Sequence, residues 1–131
     1  RRRRAAARLL LDRKEALARR VVERFYEERP EASARWGDRG RRFCLEDTRY
    51  HLQYLAAALE FRLPRTFVQY VAWIRDVLEA RGVDRDHLRL TLRLLAEALE
   101  QEPGLSREGL ADALEALRGG AEILDAPPAR S

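Results

Sequence analysis

The residues able to do chemistry gather in one stretch of the chain. Cys44, Asp47, His51 and Tyr54 follow one another at intervals of three and four residues. On a helix turning about 100° per residue they share one face, together with Leu55 and Ala58. A thiol, a carboxylate, an imidazole and a phenol then line up along two or three turns. Arg49 and Gln53 fall on the opposite flank and read as solvent-facing. The Cys44 face is therefore the inward one. An inward carboxylate is costly unless it is paired or hydrogen-bonded, so Asp47 calls for a partner rich in donors. The bland alternative is a salt bridge from Asp47 to one of the many arginines, with Cys44 packed as a small hydrophobe.

Several chemistries are excluded on spacing and composition. His51 lies seven residues from Cys44, about 10 Å along a helix axis, too far to take the thiol proton directly. No phosphate-binding loop, zinc-protease motif or paired-carboxylate motif is present, and an enzyme is not expected. A single cysteine rules out an intrachain disulfide framework and a cysteine-based zinc cluster.

The elements that must position this face are helices. Apolar residues recur at helical spacing almost throughout, and alternating strand patterns are missing. A first helix is expected from about Ala5 to Glu28, buried through Leu10, Leu17, Val21 and Phe25, and broken at Arg29-Pro30. A short polar stretch follows, with turn signals at Gly37-Asp38 and Gly40. The second helix, which carries the chemistry, runs from about Arg39 to Arg62. A third starts at Pro64 and stops at Gly82. A fourth is capped by Asp84, and His87 near its start reads as exposed. A fifth is capped by Ser106, with Leu105 and Leu110 placed for a hydrophobic staple, and ends at Gly119-Gly120. The tail 126–131 reads as frayed. The expectation is one all-α domain over 1–131, a globin-like bundle of about five to six helices.

Composition agrees. The 131 residues are 46% hydrophobic and 37% charged, which suits amphipathic helices whose charges all face water. Of 26 basic residues only Lys14 is lysine, and the net charge of +4 is spread along the chain, so nucleic acid is not an expected partner. No apolar run is long enough to span a membrane, Leu9 to Leu11 is too short for a signal-peptide core, and a cytoplasmic location is the default. Leu9, Leu11 and Val22 lie off the main stripe of the first helix, which points to a homodimer through that helix.

The segment Phe25-Tyr26-Glu27-Glu28-Arg29-Pro30-Glu31, then Gly37, then Arg41-Arg42-Phe43-Cys44-Leu45-Glu46-Asp47-Thr48-Arg49-Tyr50-His51-Leu52 resembles the phycobiliproteins. These light-harvesting globins show a helix ending in Arg-Pro-Glu, a glycine-containing turn, an arginine pair and then Cys-x-Arg-Asp followed by Tyr and Leu. The stretch Leu78 to Val83 looks like the family's approach to its next long helix. The resemblance spans roughly Ala16 to Leu99 and is specific around Cys44. It implies a globin-like fold and a linear tetrapyrrole (a bilin of the biliverdin or phycocyanobilin type) beside the second helix. By the same resemblance Cys44 is the covalent attachment point, Asp47 accepts hydrogen bonds from the pyrrole N–H groups, and Arg39, Arg41 and Arg42 pair with the propionates. Tyr50, His51 and Tyr54 would line the pocket.

The departures carry information. Glu46 stands where the family has an arginine, the arginine pair lies nearer the cysteine, and the room before Ala16 is too small for the antenna proteins' N-terminal hairpin. The sequence is more similar to the bilin biosynthesis-associated globins, for which the resemblance implies binding, carrying or sequestering a tetrapyrrole, with bilin-biosynthesis enzymes as partners. Two other readings remain open. One is a haem globin with His51, or less readily His87, as axial ligand. The other is a non-haem globin-like sensor or dimerisation module of stress signalling, which needs no ligand.

Overall fold

A computed structural model describes residues 2–125. The described chain is all-α: α1 (Arg2–Asp12), α2 (Lys14–Glu28), α3 (Pro30–Phe61), α4 (Pro64–Ala80), α5 (Arg85–Glu100) and α6 (Arg107–Asp125). The tail expected to fray lies outside the described residues. Among the described residues no helix is long and apolar enough to cross a membrane.

The first expected helix is two. The break falls at Arg13 (φ −98°, ψ 6°), where neither proline nor glycine signals it. Helical bonding continues across it, from Arg13 N–H to the Leu9 carbonyl at 2.8 Å and from Leu17 N–H to the Arg13 carbonyl at 2.9 Å. Both halves pack on α3. This packing also accounts for the apolar residues that suggested a dimer through the first helix. Val22 is in the core and Leu9 is half-buried near Gly104, which leaves Leu11 exposed.

The polar stretch after Pro30 is helical rather than a loop. Pro30 occupies the first turn, where its missing N–H costs nothing. One residue, Gly37 (φ 61°, ψ −156°), interrupts the helix before it resumes into the segment that holds Cys44. Only glycine adopts that backbone conformation without strain.

The remaining helix ends follow local chemistry. Asp84 accepts a hydrogen bond from His87 N–H at 3.1 Å, and Ser106 Oγ accepts one from Gly109 N–H at 3.0 Å. Gly82 (φ 84°) closes α4 with Val83 N–H donating to the Leu78 carbonyl at 2.9 Å. The same closure ends α3, but an arginine holds the left-handed position: Arg62 has φ 55°, and Leu63 N–H donates to the Ala58 carbonyl at 2.9 Å.

Gly119-Gly120 does not end the last helix, which runs on to Asp125. These glycines let α6 lie close against α4. A Cβ at Gly120 would sit 2.9 Å from Val71 Cγ2, and one at Gly119 would sit 2.8 Å from Val68 Cγ2. Sequence reading takes a Gly-Gly pair as a stop because the packing partner is far away along the chain. Around this contact the core fills with Phe25, Phe67, Leu52, Leu55, Leu92, Leu95 and their neighbours.

Two substitutions test this account by thermal or chemical unfolding. Gly120→Val should cost about 1–3 kcal/mol by overpacking against Val71 and Phe67. Arg62→Gly should stabilise the fold by about 0.5–1 kcal/mol, because relief of about 1–2 kcal/mol of left-handed strain exceeds the added chain entropy.

Candidate functional site

The interrupted helix builds a cleft. Because α3 bends at Gly37, Trp36 folds back across Gly40, where a Cβ would lie only 2.3 Å from Trp36 Cβ and 3.8 Å from the Tyr26 hydroxyl. The missing side chain leaves space that Trp36 walls from one side and Tyr26 from another. His87, from the first turn of α5, closes the inner end. Its ring lies 4.2 Å from Phe25 and 5.7 Å from Trp36 in an edge-on arrangement. Arg39, Phe43, Cys44 and Asp47 come from α3, and Leu78, Arg81 and Val83 from the end of α4. The enclosed volume is about 530 Å³, within the range of about 300–1,000 Å³ usual for ligand pockets. A smaller recess of about 190 Å³ lies between the end of α3 and α6 and has no aromatic lining.

The polar groups in the cleft are unevenly satisfied. The Cys44 thiol is buried, and burial first, then the Asp47 carboxylate, push it up to about 12. Asp47 is half-buried. Burial raises its carboxyl to about 6, the Arg81 guanidinium opposes that rise, and Glu46 adds to it. The donor-rich partner expected for Asp47 is thus an arginine acting through its charge, as the salt-bridge reading foresaw in part, with Arg81 as the cation. His87 is not exposed as expected. It is half-buried, and burial holds its imidazole down to about 4, so it is neutral at pH 7.

The structure separates residues that the helical face placed together. Cys44, Asp47 and Arg39 line the cleft. His51 does not: it is fully buried behind Cys44 and Asp47, and its Nδ1 shares a 2.5 Å hydrogen bond with the Tyr70 hydroxyl. Burial lowers its imidazole to about 3. The void it shares with Cys44 and Asp47 measures about 10 Å³, which leaves no room for a macrocycle beside His51 in this structure. Tyr50 and Tyr54 are also outside. Both are nearly half exposed, and Tyr54 stacks on Tyr70 with ring centroids 4.1 Å apart. Arg41 lies over the Tyr26 ring at 4.3 Å and its charge acts on the Cys44 thiol, but neither it nor the exposed Arg42 lines the cleft.

Tyr26, Trp36, Phe43, Leu78, Arg81 and Val83 were not singled out as site residues by sequence, and His87 only as the less favoured axial ligand of the haem reading. For Trp36 a signal existed in the Gly37 and Gly40 spacing. For Arg81 none did, and for His87 only its imidazole drew notice, since the place of both depends on how α4 and α5 meet α3. Among the described residues no group of three or more His, Cys, Asp or Glu could hold a metal ion.

No family model, curated protein or solved structure matches the chain. What defines the described residues is thus their own geometry: an all-α bundle with an aromatic cleft, a half-buried carboxylate and flanking arginines.

The raised Asp47 carboxyl has a stability signature. A group whose pKa rises from 3.8 to about 6 on folding favours the fold when protonated, and that contribution fades as pH rises through about 6. Asp47→Asn should therefore raise the melting temperature most at about pH 7.5, less at about pH 4.5, and hardly at all at about pH 3, below the unfolded pKa. His51 and His87 act with the opposite sign, but equally in both proteins, and cancel from the comparison.

Proposed function

We propose that the cleft binds a linear tetrapyrrole, with bilins ahead of haem, and that the protein carries, sequesters or displays it without catalysis. The observation that carries this reading is Asp47. It is a half-buried carboxylate in an aromatic-walled cleft, with no hydrogen bond from any described side chain, and Arg39 and Arg81 come from different helices to line the same space. Such a group is stabilised by a ligand that brings several N–H donors, as the inner pyrrole nitrogens do. Arg39 and Arg81 suit the carboxylates at the ligand's edge, and the rings of Trp36, Tyr26 and Phe43 suit its flat faces. Arg81 takes a place that sequence had given to Arg41 and Arg42.

Attachment through Cys44 fits less well. The thiolate is the nucleophile that would add to a vinyl or ethylidene group, and a thiol held at about 12 supplies very little of it at pH 7. The resting state is therefore read as non-covalent, with Cys44 packed beside the ligand. Haem is served poorly by His51, and His87 is the imidazole that faces the cleft.

The test is a parallel titration with biliverdin, phycocyanobilin and hemin, followed by visible absorption. Bilins should give a sharpened, red-shifted band. Asp47→Asn should abolish the red shift, and Arg81→Ala should weaken binding about tenfold or more, the scale of one charge-assisted hydrogen bond. Zinc-enhanced fluorescence of the denatured band should be absent. A Soret shift with hemin alone would transfer the site to haem and His87. No response to any pigment would defeat the proposal and favour the ligand-free dimerisation module.

A further inference from the structure

The outer face of α3 carries a second pattern, which shares Phe43 and Asp47 with the cleft but needs no ligand. Phe43, Asp47, Tyr50, Tyr54, Ala57 and Phe61 follow one another at spacings of four, three, four, three and four. This is the alternation by which one helix packs along another at a shallow angle. Phe43, Tyr50, Tyr54 and Phe61 are 45%, 47%, 46% and 66% exposed, and Ala57 is exposed too. Large apolar side chains at this spacing normally meet a neighbouring helix. Here Tyr54 stacks on Tyr70 of α4 with one ring face, and among the described residues no helix covers the rest of the stripe.

The pattern is also the same read in either direction. Both its spacing and its aromatic positions are symmetric about residue 52: a phenylalanine at each end, a tyrosine pair in the middle, and Asp47 opposite Ala57. A two-fold interface requires one patch to complement itself. An antiparallel copy of α3 would satisfy this in register. Phe43 would meet Phe61 of the partner subunit, Tyr50 would meet Tyr54 of the partner subunit, and Asp47 would meet the small Ala57 of the partner subunit. We propose that the occupant of this face is a second copy of the chain, joined antiparallel through α3.

The area supports the choice. Leu63 and Trp73, 52% and 58% exposed, flank the stripe from the α3–α4 turn and from α4. With the four aromatic residues of the stripe they offer about 600 Å² of exposed side chain, since a buried aromatic residue covers about 150–250 Å². A standard interface needs about 800 Å² from each partner. About 600 Å² from each partner, about 1,200 Å² in total, is the lower end of the range for specific interfaces. The interface also borders the cleft, because Phe43 and Asp47 belong to both. Phe61 of the partner subunit would stand beside Phe43 at the cleft mouth. This dimer replaces the one expected through the first helix.

Sedimentation equilibrium of the full chain tests the proposal, without added pigment. The wild type should be a dimer at micromolar concentration. Tyr50→Arg and Phe61→Arg should each weaken it about tenfold or more. Both side chains are exposed, so circular dichroism should confirm an intact fold. Register is tested in a Cys44→Ala background with a short bismaleimide. In the antiparallel arrangement the two copies of residue 53 lie about 3 Å apart along the axis and the two copies of residue 60 about 24 Å apart. Gln53→Cys should crosslink efficiently and Glu60→Cys should not. A wild type that stays monomeric at 200 micromolar, a dimer untouched by both arginine variants, or equal crosslinking at 53 and 60 would each overturn the proposal.

Discussion

One backbone conformation governs the shape of this molecule. At Gly37 the chain takes a φ of 61° with ψ at −156°, which only glycine holds without strain, and a helix that would have run straight from Pro30 is bent. The bend carries Trp36 back over Gly40, and the absent side chain at Gly40 lets it lie there. Tyr26 from α2 and His87 from α5 then find an aromatic surface to meet. Without the bend, residues 30–36 would continue along the axis of α3, and the cleft would lose its outer wall.

The cleft is costly to the fold. Cys44, Thr48 and His51 are buried on the inward face of α3, and each is accommodated. Thr48 donates to the Cys44 carbonyl at 2.7 Å, His51 shares its bond with Tyr70, and the thiol stays protonated. Asp47 is different. It is withdrawn from water far enough to raise its carboxyl, yet it gains the Arg81 charge and no hydrogen bond. Elsewhere the chain pairs its charges freely, as in the two 2.7 Å bonds from Arg49 to Glu15. The most expensive carboxylate therefore sits where a ligand would repay it.

The same helix serves three neighbours. Its inward face meets the core, the face between carries the cleft, and its outer face carries the symmetric aromatic stripe. This explains why α3 reads ambiguously as a sequence. Tyr50 and Tyr54 fall within one helical turn of Asp47, so spacing alone assigns them to its pocket. A rotation of some tens of degrees separates lining the cleft from facing solvent, and only the packing of α3 on α4 fixes that rotation. Tyr54 goes to the outer side because Tyr70 of α4 fills the inner one.

Local chemistry was enough for much of the architecture. Helical periodicity, the prolines at 30 and 64, the cap at Asp84, the cap at Ser106 and the stop at Gly82 are interactions within a few residues, so the sequence by itself determined an all-α chain and most of its helix ends. It also placed Cys44, His51 and Leu55 on the inward side of α3, since burial follows the apolar period, but not the exact rotation that turns Tyr54 outward. Other features depend on residues distant along the chain. The break at Arg13, the passage of α6 through Gly119-Gly120, the withdrawal of His51 behind the cleft and the arrival of Arg81 and His87 in its lining were decided by the tertiary structure alone. In each case the deciding contact joins different helices, and no spacing along one helix records it.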